Sequence, residues 1–183
     1  KRLPHRRLSL GMPKKASEDW ANLLLNERVI ISTDSETFNK SLNDTLGFNK
    51  FASRGNQLIE KAFALGTGAL VEWKDENDRV VIDFVEADMV FPVTVEAGEI
   101  IECAFASERV SGGKRGYYIQ VHRRDRIENY LLNKDGEQID LPEGIAAIVP
   151  TKARQFQIIK PNIVNNFDPC QPLGLSVFAN ALD

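Results

Sequence analysis

Two acidic clusters are the part of this sequence best suited to catalysis or metal binding. Their members are carboxylates and one amide lying close together in the chain: Asp75, Glu76, Asn77, Asp78, Asp83, Glu86 and Asp88. Paired carboxylates can hold a divalent cation or share a proton, as a metal-dependent hydrolase requires. Asp and Asn are also the residues of tight turns, because their side chains bond to nearby backbone. We therefore interpret 75–78 as a turn, and a hydrolase using Asp83, Glu86 and Asp88 remains an alternative.

Other catalytic and cofactor motifs are absent from the sequence. The only histidines, His5 and His122, and the only cysteines, Cys103 and Cys170, have no metal-ligand spacing. Gly113-Lys114 lacks both the earlier glycine and the following Ser or Thr of a phosphate-binding loop. No Gly-x-Ser-x-Gly nucleophile elbow occurs. We therefore predict no catalytic residue, no cofactor, no metal and no enzyme.

Arginines near two tyrosines form a candidate contact surface. Arg123, Arg124 and Arg126 follow Tyr117 and Tyr118, and basic and aromatic side chains together can bind nucleic acid. In a strand, however, Arg123 and Arg124 point to opposite faces. We favour salt bridges within or between subunits, and contact with DNA or a partner is the alternative.

The first 15 residues are basic, with Arg6 and Arg7 at their centre and no acid before Glu18. This basic arm is either a solvated tail or a contact for nucleic acid or an acidic neighbouring subunit. The whole chain carries a formal charge of −3, which excludes coating of nucleic acid through bulk charge.

The size of the chain allows one sizeable core. It has 183 residues, of which 43% are hydrophobic. No stretch approaches the roughly 20 apolar residues of a membrane span. The chain starts at Lys1 and ends at Asp183 inside a helix-like pattern, so we expect a fragment of a longer protein.

Three helices are predicted in the first third of the chain. Residues 16–26 have Ala16, Trp20, Leu23 and Leu24 on one face. A second helix starts at a capping box of Thr33 and Glu36, buries Phe38, Leu42 and Leu46, and ends at Gly47. A third covers about 49–65 and ends at Gly66, a left-handed cap. Its buried face contains Phe51, Gly55, Leu58, Ile59, Ala62 and Phe63.

Strands dominate the remainder. A short strand at 28–32 precedes the second helix, and alternation predicts others at 69–74, 80–85, 89–95, 100–107, 117–121, 127–132 and 156–160. Pro92 indicates an edge or a bulge. We expect an α+β domain, with N-terminal helices packed on a mainly antiparallel β meander and a further helix starting near Leu175.

The domain prediction is a basic arm at 1–15 followed by a single domain at 16–183. Within it, 16–66 is mainly helical and 67–141 is antiparallel and β-rich. The last part, 142–183, contains a connector, a returning strand, an Asn/Pro-rich loop and a helix start.

Ordered sequence segments resemble one known family. They are SEDWANLLLNE at 17–27, GTGALV at 66–71, ADMVFPV at 87–93, IKPNIVNNFD at 159–168 and PLGLSVFANALD at 172–183. Together they resemble the portal proteins of tailed bacteriophages, in particular those of phages and prophages of Gram-positive bacteria. This resemblance implies the wing region of a structural head–tail connector subunit, with the stem, clip and tunnel loop absent. Another head morphogenesis or adaptor protein is the alternative.

The resemblance also implies partners and a location. Identical subunits would form a ring, usually twelve-fold, although the fragment alone could be monomeric. Terminase, capsid or scaffold protein, head completion proteins and double-stranded DNA would be further partners, and no membrane. The subunit would occupy the capsid vertex of the virion and, during assembly, the host cytoplasm. Trp20, Phe167 and Phe178 are candidates for the subunit interface, unless Trp20 belongs to the core.

Overall fold

The computed structural model describes residues 11–26, 28–75, 77–111, 114–165, 167–168 and 171–179. Within them, three helices precede nine strands. The helices are α1 Met12–Leu24, α2 Glu36–Phe48 and α3 Phe51–Leu65. The strands are β1 Gly68–Lys74, β2 Val80–Glu86, β3 Val90–Glu96, β4 Glu99–Ser111, β5 Lys114–His122, β6 Arg126–Asn133, β7 Gln138–Ile139, β8 Ile148–Pro150 and β9 Phe156–Ile159. The order confirms the α+β class.

Helix α1 packs against α3 through small residues. It begins at Met12, earlier than predicted, since Pro13 is well tolerated in a first helical turn. Its buried residues are Ser17 and Ala21, so the predicted buried face with Leu23 and Leu24 was wrong. Small side chains let the two helices approach closely, and Leu23 and Leu24 remain exposed.

Helix α2 is the least buried of the three. Ser35, not Thr33, is its N-cap, and the Ser35 hydroxyl accepts a 3.4 Å bond from the Phe38 N–H. Phe38 is exposed, which contradicts its predicted burial, whereas Leu42 and Leu46 are half-buried. The helix ends one residue beyond Gly47.

The strand predicted at 28–32 is absent. Val29 and Ile30 are exposed, and none of these residues pairs with a described strand. β-branched residues favour a strand only where a neighbouring strand and a packed face are available. Here the segment only connects two helices.

Helix α3 positions a three-stranded sheet with the order β2-β1-β9, antiparallel throughout. Its buried residues Gly55, Leu58 and Ala62 confirm the predicted face. Gly66 ends the helix at φ 94°, as predicted for a left-handed cap. A Cβ added at Gly68 would lie 2.9 Å from Leu58 Cδ1, so the helix and β1 are in close contact.

The second sheet is an antiparallel meander with the order β3-β4-β5-β6-β7, and β8 pairs with β6 beside β7. A 3₁₀ turn, Ala87–Met89, separates it from the first sheet, so the predicted single meander is divided in two. Pro92 lies next to the predicted bulge in edge strand β3. Strands β4 and β5 are longer than the strands predicted at 100–107 and 117–121, since β4 extends to Ser111 and β5 starts at Lys114.

The core lies between the two sheets. It combines Ala69, Val71 and Phe156 of the first sheet with Val90, Ile100, Cys103 and Phe105 of the second. The returning strand β9 confirms the strand predicted at 156–160 and supplies Phe156 to this core. The packing of the two sheets therefore depends on a strand far along the chain.

The segment after β9 folds back on α3 and β1. The Gly174 N–H donates to Thr67 Oγ1 at 2.9 Å, and the Val177 N–H donates to the Phe63 carbonyl at 3.0 Å. Near the predicted helix start, residues 177 and 178 form a turn and 179 is in 3₁₀ conformation, whereas 180–183 lie outside the described residues.

Candidate interaction surfaces

The first acidic cluster is a turn. Asp75 Oδ1 accepts bonds from the N–H groups of Asn77 and Arg79, and Asp78 has a positive φ of 62°. The hydrogen bond from the Arg79 side chain is the largest cause that holds the pKa of Asp75 below its usual value. These carboxylates therefore serve the connection between β1 and β2.

The second cluster is dispersed among structural partners. Asp83 accepts a 2.9 Å bond from Trp73 Nε1, and Glu86 forms an ion pair with Lys61. Asp88 is exposed on the 3₁₀ turn. Within the described part of the chain, no three His, Cys, Asp or Glu residues are placed to hold a metal ion.

The three neighbouring arginines are ion-paired within the subunit. Arg123 lies 3.4 Å from Glu102 and 3.5 Å from Glu128. Arg124 pairs with Glu96, and Arg126 lies 2.8 Å from Glu128. DNA or partner contact by these arginines stays a prediction. Arg6 and Arg7 lie outside the described residues.

The predicted tyrosine neighbours do not join this arginine group. The Tyr118 hydroxyl donates to Asn129 Oδ1 at 2.7 Å, and Arg109 lies 4.6 Å from the centre of the Tyr118 ring. Burial is the main cause that raises the pKa of Tyr118. Tyr118 instead lines a groove of about 1020 Å³ between the two sheets. Because acids, bases and apolar residues all line this groove, no single ligand class is indicated.

A smaller cavity of about 170 Å³, the seam cavity, lies where the two sheets meet. Its lining comes from β4, the end of β5, the turn before β6, and the β8–β9 loop with the start of β9: Ile101, His122, Arg123, Arg124, Thr151, Ala153, Arg154, Gln155 and Phe156. Three of these residues are arginines and none is acidic. Arg154 was not selected from the sequence, because only folding brings it beside the β5–β6 turn.

His122 is buried at this seam. It is 2% exposed, its ring contacts Phe105 and Phe156 edge-on, and within the described part of the chain its Nε2 has no hydrogen-bond partner. Burial lowers the pKa of His122 to about 4, so the imidazole is neutral at pH 7. Cys103 is also buried in the core, and burial raises its pKa to about 12.

Comparison with known proteins places the chain in a family. Residues 1–160 match the family model described as phage portal protein, SPP1 Gp6-like. The match covers most of the sequence. This chain belongs to the phage portal protein family. No curated protein matches it.

The family is structural and non-enzymatic, in agreement with the structural roles of the acidic residues. Portal proteins are capsid components, so the virion is where this portal chain acts. No described helix is both long enough and apolar enough to cross a membrane.

The portal chain exposes an unusual amount of apolar surface between the end of α1 and the first turn of α2. We name this the exposed apolar strip, and its members are Leu23, Leu24, Val29, Ile30, Ile31 and Phe38. Ile30 is 86% exposed and Leu23 is 74% exposed. Sequence reasoning missed this surface because it assigned these residues to a buried helix face and a strand.

The aromatic residues predicted at the subunit interface have different environments. Trp20 is half exposed and stacks on Phe63 at 5.9 Å between ring centres, so it is partly a packing residue. Phe167 is exposed, whereas Phe178 is partly buried. Their role in subunit contact stays a prediction.

Proposed function

We propose that this portal chain is part of the subunit of a ring, twelve-fold in the complete protein, at one vertex of the phage capsid. Double-stranded DNA would be packaged and later ejected through the channel of this ring. The observation that carries the proposal is the family match over residues 1–160. The role is structural, with no reaction catalysed by the chain.

The partners follow from that role. Identical subunits surround the channel, terminase drives the DNA, and capsid or scaffold protein holds the ring in the vertex. Head completion proteins close the ring after packaging. The subunit is present in the host cytoplasm during assembly and in the virion afterwards.

The exposed apolar strip supports a subunit contact. A ring requires a heterologous interface, in which two different surfaces of each subunit meet. Leu23, Ile30 and Phe38 offer one such surface, since large apolar side chains grouped in the chain are costly to leave in water. Trp20, which lies on the same helix as Leu23 and is half exposed, is a further candidate for this contact.

The ring is tested by negative-stain electron microscopy of the complete gene product, together with its mass in solution. Rings with an axial channel are expected. A complete protein that stays monomeric or dimeric across salt and protein concentrations would refute the portal ring and favour an adaptor role.

The strip is tested by Ile30→Asp, with Val164→Asp as the matched control. Both residues lie outside helices and strands and are highly exposed, at 86% and 77%. A charge in the strip should shift the complete protein from rings to monomers, because it would be buried on assembly. The same charge at Val164 should leave the rings intact. Equal behaviour of the two variants would exclude the strip from the interface.

A further inference from the structure

The charges around the seam cavity are unbalanced. Arg123, Arg124 and Arg154 line it, and no carboxylate belongs to the lining. Glu102 and Glu96 pair with Arg123 and Arg124 from positions outside the lining. The charged residues of the lining itself are therefore all basic, with two of the three arginines ion-paired to carboxylates beyond it.

Arg154 is held differently from the other two arginines of the lining. Its guanidinium lies 4.3 Å from the centre of the Phe156 ring, and its Nε donates to the Phe156 carbonyl at 3.0 Å. Among the described residues, no carboxylate forms an ion pair with it. A guanidinium has five N–H donors in a rigid fork, so most of those of Arg154 remain available. The Phe156 ring and carbonyl thus position the Arg154 guanidinium and leave most of its N–H donors free to bind a ligand.

A buried polar atom next to the cavity also lacks a partner. His122 is 2% exposed, and its Nε2 has no hydrogen bond among the described residues. Arg123 Nε is buried without a hydrogen bond, although Glu128 Oε2 lies 3.5 Å away. Nearly all buried polar groups in native proteins are satisfied by protein or by bound water, so an unsatisfied one beside a cavity indicates a polar occupant of that cavity.

We propose that the seam cavity is a binding site for a phosphate-class oxyanion, held by Arg154 and Arg124 with Arg123 and His122 at its inner side. Arginine binds tetrahedral oxyanions in bidentate fashion, which suits three guanidinium groups around one small space. Arg154 supplies the positive charge that no described carboxylate compensates.

The size of the cavity limits the ligand. Its volume of about 170 Å³ is below the roughly 300–1,000 Å³ of ordinary small-molecule pockets. It has room for a single phosphate group with a few waters, since each water takes about 30 Å³. The source is therefore either free phosphate or one phosphodiester of a nucleic acid whose remainder stays outside.

The two histidines make binding directly observable. In a His5→Gln variant, His122 supplies the only histidine imidazole signals in a heteronuclear NMR spectrum of the chain. Sodium phosphate is titrated against sodium chloride of equal ionic strength. We expect a saturable shift of the His122 signals with phosphate and none with chloride. Absence of a saturable shift up to 100 mM phosphate would overturn the proposal.

Arg154→Gln is the deciding variant, and Arg109→Gln is its matched control. Both remove one positive charge and one guanidinium–aromatic contact, Arg154 over Phe156 and Arg109 over Tyr118. We expect Arg154→Gln to weaken phosphate binding at least tenfold, and Arg109→Gln to change it less than twofold. Equal weakening by both variants would show only a general charge effect and would refute the site. If Arg154→Gln fails to fold, Arg124→Gln replaces it, because Arg124 is largely exposed.

A second titration with a short DNA duplex separates the two sources of phosphate. Competition by duplex, abolished in Arg154→Gln, assigns the site to phosphodiesters. Binding of inorganic phosphate without competition by duplex assigns it to the free anion. Both outcomes support the oxyanion site, whereas a duplex response that survives in Arg154→Gln contradicts it.

Discussion

Buried, neutral His122 makes stability depend on pH in a calculable way. Its pKa is lowered to about 4 in the folded chain, from 6.5 when unperturbed, because of burial. Between these values the unfolded state binds a proton that the folded state excludes. The contribution of His122 to the free energy of unfolding is therefore fully present above the unfolded pKa. It is lost as the pH falls from 6.5 toward 4.

The size of the loss follows from the two pKa values. The full difference corresponds to about 3 kcal/mol, and the part expected between pH 7 and pH 5 is about 2 kcal/mol. Carboxylates with lowered pKa values, such as Glu102, contribute stability that disappears mainly below their unfolded pKa of about 4.5. The change in the free energy of unfolding between pH 7 and pH 5 therefore reports mainly on the His122 imidazole.

Urea unfolding followed by tryptophan fluorescence at pH 7, 6 and 5 measures this effect. Phosphate-free buffers are needed, because an anion beside His122 would favour its protonated form. The His122→Leu variant should lose the pH dependence, while Ile82→Val, which costs about 1 kcal/mol at a buried position outside this core, should keep it. His5 is present in the unmodified protein and in both variants, so its contribution to the pH dependence cancels when they are compared. A pH slope that persists unchanged in His122→Leu would refute the reasoning.

Further predictions concern the helical layer and the core. Gly66→Ala should lower the free energy of unfolding by more than about 1 kcal/mol in urea titrations, because its φ is 94° and an added Cβ would lie 2.5 Å from the Gly174 carbonyl oxygen. Gly136→Ala, at φ 82° with open space, should cost less. Asn49→Ala should cost about 1–3 kcal/mol in the same assay, because Asn49 accepts from the Ile82 N–H and donates to the Val80 carbonyl. Cys103 should resist iodoacetamide at pH 8 until urea unfolds the chain, as judged by peptide mass spectrometry, and labelling of Cys103 itself in the native protein would contradict its burial and its raised pKa.

Local patterns predicted the elements that have their own sequence signals. Gly66 marked the end of α3, and alternation over 80–85 marked β2. The division into two sheets was not predictable, because Ala87–Met89 carries no glycine or proline to indicate a break. The failure at 28–32 has the same origin, since strand formation depends on a partner that lies elsewhere in the chain.

The candidate surfaces were predicted only in part, for a similar reason. The arginines at 123–126 stood out in the sequence, but their carboxylate partners on β3, β4 and β6 did not. Arg154 joins them only because β9 returns to pair with β1. The exposed apolar strip escaped notice because periodicity identifies an apolar face without showing what covers it.

The strip and the seam cavity belong to different layers, which allows the two proposals to be separated. The strip lies on α1, the connection after it and α2, whereas the cavity lies between β5 and the β8–β9 loop. Distant sites without shared partners behave additively. Ile30→Asp should therefore abolish assembly and leave the phosphate response of His122 unchanged, and Arg154→Gln should do the reverse. If either variant alters both properties in a protein that is still folded, the two surfaces are coupled and the assignment of separate roles fails.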